Sequence, residues 1–257
     1  MKEYLIRPFK IMEYTTDWAV LTYLIDIGKK VQNYSYLWYI EGPKEKIVVD
    51  TSSSPEIDRA ISGIKSKGSG PAGIRAALQS AGLRPDDIDI VINTHLHFDH
   101  CGNNSMFRKA RVIAQKDELE FAYNPIPTQK HFYRLEDLRD FEARDHELVD
   151  GDKNIVEGVR VLKVPGHTLG MQAVTVETSK GIAAICSDSV YRYRNWYPSD
   201  PKYGTPVKHL HRIPPGHHVD LRQWFESMDK VEKLADIIIP GGEPELDGKR
   251  IPIDLQQ

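Results

Sequence analysis

The apolar positions of this chain fall into short β-branched runs separated by amphipathic stretches, an alternation that predicts an α/β fold. Residues 36–40 and 45–50 read as two strands joined by a turn at Glu41-Gly42-Pro43-Lys44. Residues 71–82 carry apolar side chains at helical spacing and stop at Gly82. A strand over 89–93, another near 110–114 and a helix beginning near Lys116 follow. The second half repeats the theme, with strands at 159–164, 171–177, 182–186 and 236–239 and a helix over 219–234. Two comparable halves of this kind suggest two sheets face to face with helices outside. The stretches 121–146 and 191–218 lack a strong period and are expected to be lid-like inserts. The second is rich in aromatic residues, among them Tyr191, Tyr193, Trp196, Tyr197 and Tyr203, which suit either an apolar substrate tail or an oligomer contact.

Chemistry enters where the strand over 89–93 ends, in Thr94-His95-Leu96-His97-Phe98-Asp99-His100-Cys101. Imidazole and carboxylate are ligands for borderline divalent cations, and four of them crowd this segment. His95 and His97 are two apart, so in extended chain they point the same way. Asp99 and His100 follow where the chain turns toward Gly102, which predicts a second, adjacent cation. Further ligands are expected at other strand ends. His167 follows the strand over 159–164 in Pro165-Gly166-His167-Thr168, and Asp188 closes the next buried run, placed to bridge two cations. Asp50, at the end of its own strand, either accepts a hydrogen bond from a ligand histidine or loop amide, or forms a turn before Thr51.

From about Trp38 to Glu243 these motifs resemble the metallo-β-lactamase superfamily. Within it, Val164-Pro165-Gly166-His167-Thr168-Leu169-Gly170 and Tyr191, three residues after Asp188, look most like the N-acyl-homoserine lactonases. The resemblance implies a four-layer αββα sandwich and two divalent metal ions, zinc with iron or manganese as alternatives. It places His95, His97 and His167 on one ion, Asp99 and His100 on the other, and Asp188 between them. The implied reaction is opening of a lactone or similar cyclic ester by metal-bound hydroxide. Tyr191 would hold the carbonyl and Asp99 would relay a proton to the leaving alkoxide. Two other readings are a superfamily hydrolase of another ester, thioester, β-lactam or phosphoester, and a non-catalytic member with a degraded second site. The last is kept open by Pro240-Gly241-Gly242-Glu243, where Gly242 stands in the place of the superfamily's final histidine. Glu243, His217 or His218 would substitute as ligand; otherwise they line the pocket or cap a helix.

Composition narrows the partners. A chain of 257 residues with 40% hydrophobic content supports one metallo-hydrolase domain over 1–257. A formal charge of −3 leaves no basic footprint for nucleic acid. Two cysteines, Cys101 and Cys186, make no disulfide framework and point to a reducing compartment. The N-terminus is polar, and no apolar run approaches 18 residues. The expectation is a cytoplasmic protein without membrane contact, acting on a small ester or lactone, with homodimer formation through the aromatic inserts as an option.

Overall fold

β-Branched and aromatic side chains pack well on a pleated surface, and the computed structural model sorts the runs that carry them into two sheets. Residues 3–42, 44–63 and 65–255 are described; Pro43, in the middle of the expected turn, lies outside them. The first sheet holds β1 (Leu5–Asp17), β2 (Lys30–Glu41), β3 (Ile47–Val49), β4 (Lys67–Gly68), β5 (Ile90–Ile92), β6 (Arg111–Gln115) and β7 (His146–Val149), in the order β4-β1-β2-β3-β5-β6-β7. The second holds β8 (Lys153–Val156), β9 (Val159–Lys163), β10 (Gln172–Thr178), β11 (Gly181–Ser187) and β12 (Ile237–Pro240), in the order β12-β11-β10-β9-β8. Between β3 and β7 the first sheet is parallel, as crossover helices require.

The helices are α1 (Trp18–Leu21), α2 (Pro55–Ser62), α3 (Gly70–Ser80), α4 (Phe98–Cys101), α5 (Lys116–Tyr123), α6 (Leu135–Glu142), α7 (Tyr193–Trp196) and α8 (Leu221–Leu234). Strand alternation sends Trp38 and Ile40 of β2 inward, where they meet Val161, Val174, Ile185 and Ile239 of the second sheet. Leu37 and Tyr39 point the other way, onto Ile74 and Leu78 of α3. On the far side, Leu162, Ala173 and Ala184 take Trp224, Met228 and Val231 of α8. The layers therefore run helix, sheet, sheet, helix, the αββα sandwich the motifs imply.

The largest difference from the expected elements is β1, thirteen residues long and paired with β2 along almost its whole length. Pro8 and the charges Arg7, Lys10 and Glu13 interrupt its apolar alternation, so the sequence does not announce it. The stretch 121–146 is not patternless either, since Leu138 and Phe141 of α6 are fully buried against the α3 side of the sheet. Among the described residues no helix is long and apolar enough to cross a membrane.

Candidate metal centre

Each cluster residue sits just past the C-terminal end of a strand, and two sheets contribute. After β5, Asn93 Nδ2 donates to the His100 carbonyl at 3.1 Å and folds the loop back on itself. Two ligand groups result. His95, His97 and His167 form one and His95, His100 and Asp188 the other, with donor atoms in each within 4.8 Å of one another. His95 Nε2 lies 3.0 Å and His167 Nε2 3.3 Å from His97 Nδ1. All five residues are buried. Burial, reinforced by the neighbouring imidazoles, holds His95 and His97 well below the ordinary histidine pKa. His167 is lowered as well, mainly by burial.

Outer contacts fix which ring nitrogen is free. His167 Nδ1 is 2.8 Å from the His217 carbonyl, and a carbonyl only accepts, so Nδ1 carries the hydrogen and the Nε2 lone pair faces the cluster. By the same logic His100 Nδ1 donates to Asp50 Oδ2 at 2.8 Å. Its Nε2 then faces Asp188 Oδ1 at 3.4 Å and Asp99 Oδ2 at 3.7 Å. Burial works against charge on His100, yet Asp188, Asp99 and Asp50 together raise its pKa well above the usual value. Positive charge belongs at this point, and convergent lone pairs with carboxylates beside them fit a pair of divalent cations. Asp188 is held low despite burial, by His100 first and His167 after it. Asp99 is raised, chiefly by burial, with Asp188 adding repulsion and His100 opposing.

Asp50 anchors this arrangement. Its Oδ1 accepts from the Thr94 backbone N–H at 2.8 Å and its Oδ2 from the Thr94 hydroxyl at 2.8 Å, in addition to His100. It adopts φ +55°, a left-handed conformation that costs a non-glycine residue energy and that these bonds hold in place. Sequence reasoning misses Glu118, which is fully buried in α5. That carboxylate accepts from Leu96 N at 2.9 Å, the Tyr133 hydroxyl at 2.9 Å, the Thr168 hydroxyl at 2.6 Å and Gly170 N at 3.2 Å. It thus ties the His95–His97 loop to the His167 loop. In the sequence it reads as one more charge on the solvent face of a charged helix.

A cleft of about 240 Å³ opens over the cluster, lined by Tyr14, Val20, Asp58, Phe132, Tyr191 and His217 beside the ligand residues. The Tyr191 hydroxyl donates to Asp188 Oδ2 at 2.7 Å. From the 121–146 stretch, the rings of Phe132 and Tyr133 lie 4.9 Å and 4.7 Å from that of His97. The structure does not gather the three substitute candidates at the second half of the cluster. His217 lines the cleft and packs on Phe132 at 5.2 Å, while its carbonyl holds His167. His218 is bonded through Nδ1 to the Pro215 carbonyl at 2.9 Å and sits edge-on to Tyr23. Glu243 accepts from Tyr193 N at 3.0 Å and faces Arg192 at 3.6 Å. Cys101 and Cys186 are buried free thiols, close to the Leu96 and Ala184 carbonyls.

Residues 31–242 match the family model for the metallo-β-lactamase superfamily. An N-acyl homoserine lactonase of Bacillus cereus is 33% identical over 130 residues, 49% of this chain and 48% of the relative. This chain spans about half the length of the curated lactonases it matches. A probable metallo-hydrolase of Methanocaldococcus jannaschii is 30% identical over 77% of this chain and 70% of its own. Among solved structures, an N-acyl homoserine lactone hydrolase with the product N-hexanoyl-L-homoserine at its catalytic metal centre superposes with a TM-score of 0.77 at 24% identity, covering 95% of both chains. A dizinc quorum-quenching lactonase superposes at 0.71 and 16% identity, over 100% of this chain and 98% of its own. These two likenesses speak to the fold. With a family match over most of its length and the histidine–aspartate cluster at the strand ends, the chain belongs to the metallo-β-lactamase superfamily.

Proposed function

We propose that this chain is a metal-dependent hydrolase that opens a lactone, of the N-acyl-homoserine type or a similar cyclic ester. The observation that carries the reading is the convergence of His95, His97 and His167, with His100 and Asp188 beside them and the Tyr191 hydroxyl 2.7 Å from Asp188. Relatives named N-acyl homoserine lactonase support the choice of substrate.

His95, His97 and His167 would hold one divalent cation, zinc with iron or manganese as alternatives, and Asp99 and His100 a second, with Asp188 between them. When bound, such cations polarise a carbonyl and acidify water near neutral pH. The residues do the rest. Asp99, its carboxyl raised by burial, is suited to take a proton and hand it to the leaving alkoxide oxygen. Tyr191 turns its O–H from Asp188 to the carbonyl oxygen of the substrate as negative charge develops there. Met12, Val20 and Phe132 exclude water from one side of the cleft and accept an apolar tail.

A panel of lactones with different tails, thioesters, β-lactams and phosphoesters, assayed with added zinc, manganese or iron, tests the assignment. Lactones should turn over fastest. Preference for a thioester or phosphoester would move the chain to another hydrolase class, and no turnover with any metal would make it a non-catalytic member.

A further inference from the structure

The position left without a histidine is not left open. A methyl group built on Gly242 would overlap Asn33 Oδ1 and stand 3.0 Å from Asn33 Cγ. Asn33, from β2, is 2% exposed and takes the space into which the missing side chain would project. Gly242 cannot retreat, because its own N–H is bonded to the Tyr191 carbonyl at 2.9 Å and that of Gly241 to the Val190 carbonyl at 2.8 Å.

Asn33 leads to Tyr14. The two are directly opposed across the antiparallel β1–β2 pair, which puts both side chains on one face. Asn33 Nδ2 donates to the Tyr14 hydroxyl oxygen at 2.7 Å, so the phenol keeps its own proton and a lone pair for the cleft it lines with Asp99 and Asp188. A hydroxyl that shares a cleft wall with these two carboxylates is placed to meet a cation they hold. Among the described residues Asn33 Oδ1 is buried without a hydrogen-bond partner, a costly state for a polar atom that lies against Gly242.

We propose that Tyr14, positioned by Asn33, supplies through its hydroxyl oxygen the ligand to the second cation that Gly242 lacks. This rests on the two-cation reading above. Oxygen replaces imidazole, making that half of the site harder and more receptive to manganese or iron relative to zinc than an all-histidine counterpart.

The test is metal stoichiometry and affinity, by elemental analysis and chelator competition, on the full chain. Wild type should take two equivalents of zinc. Tyr14→Phe should keep the first at unchanged affinity and bind the second at least tenfold more weakly, with an unchanged metal-free melting temperature. Gly242→His alone should bring no gain, because Asn33 occupies the space. The triple variant Tyr14→Phe, Asn33→Gly, Gly242→His should regain the second equivalent. Full second-site affinity in Tyr14→Phe, parallel loss of both equivalents, or a folded triple variant no better than Tyr14→Phe would each overturn the assignment. Failure of wild type to bind zinc at the histidine cluster would instead remove the underlying two-cation reading.

Discussion

In the proposed reaction the Tyr191–Asp188 contact would divide between holding and reacting. The hydroxyl donates to the Asp188 carboxylate at 2.7 Å, so it is already aimed into the cluster before any substrate arrives. Replacing Tyr191 with Phe removes that donor while leaving the ring in place. Turnover of a lactone should fall on the order of 100-fold, the scale of losing one oxyanion donor, with metal content unchanged; steady-state kinetics and elemental analysis on the same sample check both halves of this expectation. A second residue-scale prediction concerns Asp137 in α6. Burial pushes its carboxyl up to about 6, against the pull of Arg134 at 3.2 Å, and its Oδ2 has no hydrogen-bond partner among the described residues. The folded pKa lies above the unfolded one, so the native state binds more protons over this interval. Stability is then fullest below about pH 4 and is lost as pH rises through about 6. Asp137→Asn should flatten that loss, making the variant more stable than wild type at pH 7 by about 1–2 kcal/mol. Urea denaturation at pH 5 and pH 7 measures it; equal pH dependence in the two proteins would contradict the assignment. The residues of the histidine–aspartate cluster were legible in the sequence as candidates because their chemistry is rare and their spacing tight. Glu118 was not, since nothing in a run of charged helical residues says which one faces inward.

At the scale of elements, the site depends on helix and strand ends meeting loops at short range. Gly166, one residue before His167, has φ +147°, and a Cβ there would come within 2.7 Å of Trp224 Cα and 3.0 Å of Trp224 N in α8. Its carbonyl accepts from Val219 N and Asp220 N at 2.7 Å and 3.1 Å, so the start of α8 grips the loop that presents His167. Gly166→Ala must push the two apart. It should weaken the cation held by His95, His97 and His167 by about tenfold or more, the scale seen when supporting contacts of a ligand are lost. Zinc competition against a chelator reads that change, and undiminished affinity would show that the loop absorbs the methyl group. The same elements divide into those the sequence announced and those it did not. β5 and β11 are nearly continuous apolar runs and β9 alternates, each followed by a loop that carries a cluster residue, and periodicity finds them. β1 is broken by Pro8 and by the charges Arg7, Lys10 and Glu13, so its pairing with β2 appears only in three dimensions. That pairing carries Tyr14 opposite Asn33, which is why a compensating group on β1 was not among the candidates of residues 217, 218 and 243.

Over the whole molecule, the first sheet supplies His95, His97, Asp99 and His100, and the second supplies His167 and Asp188. A cation shared among them would join the two sheets, whose inner faces pack together through Trp38, Val49, Val161 and Ile185. Cation binding would therefore be coupled to folding. Free metal at about a hundred times its dissociation constant should add about 2.7 kcal/mol to stability, and chelation should lower the melting temperature reversibly. The αββα layering was legible from two comparable halves together with the metal motifs, whereas the depth and polarity of the cleft depend on loops whose course no period encodes. The most direct test of a metal-dependent lactonase is proton release from an N-acyl-homoserine lactone, followed in a pH-stat on chelator-stripped protein, on the same protein reconstituted with zinc, manganese or iron, and on His97→Ala. Ring opening that is absent after stripping, returns with metal and stays absent in His97→Ala is the predicted result; turnover that survives stripping, or none after full reconstitution, would contradict it.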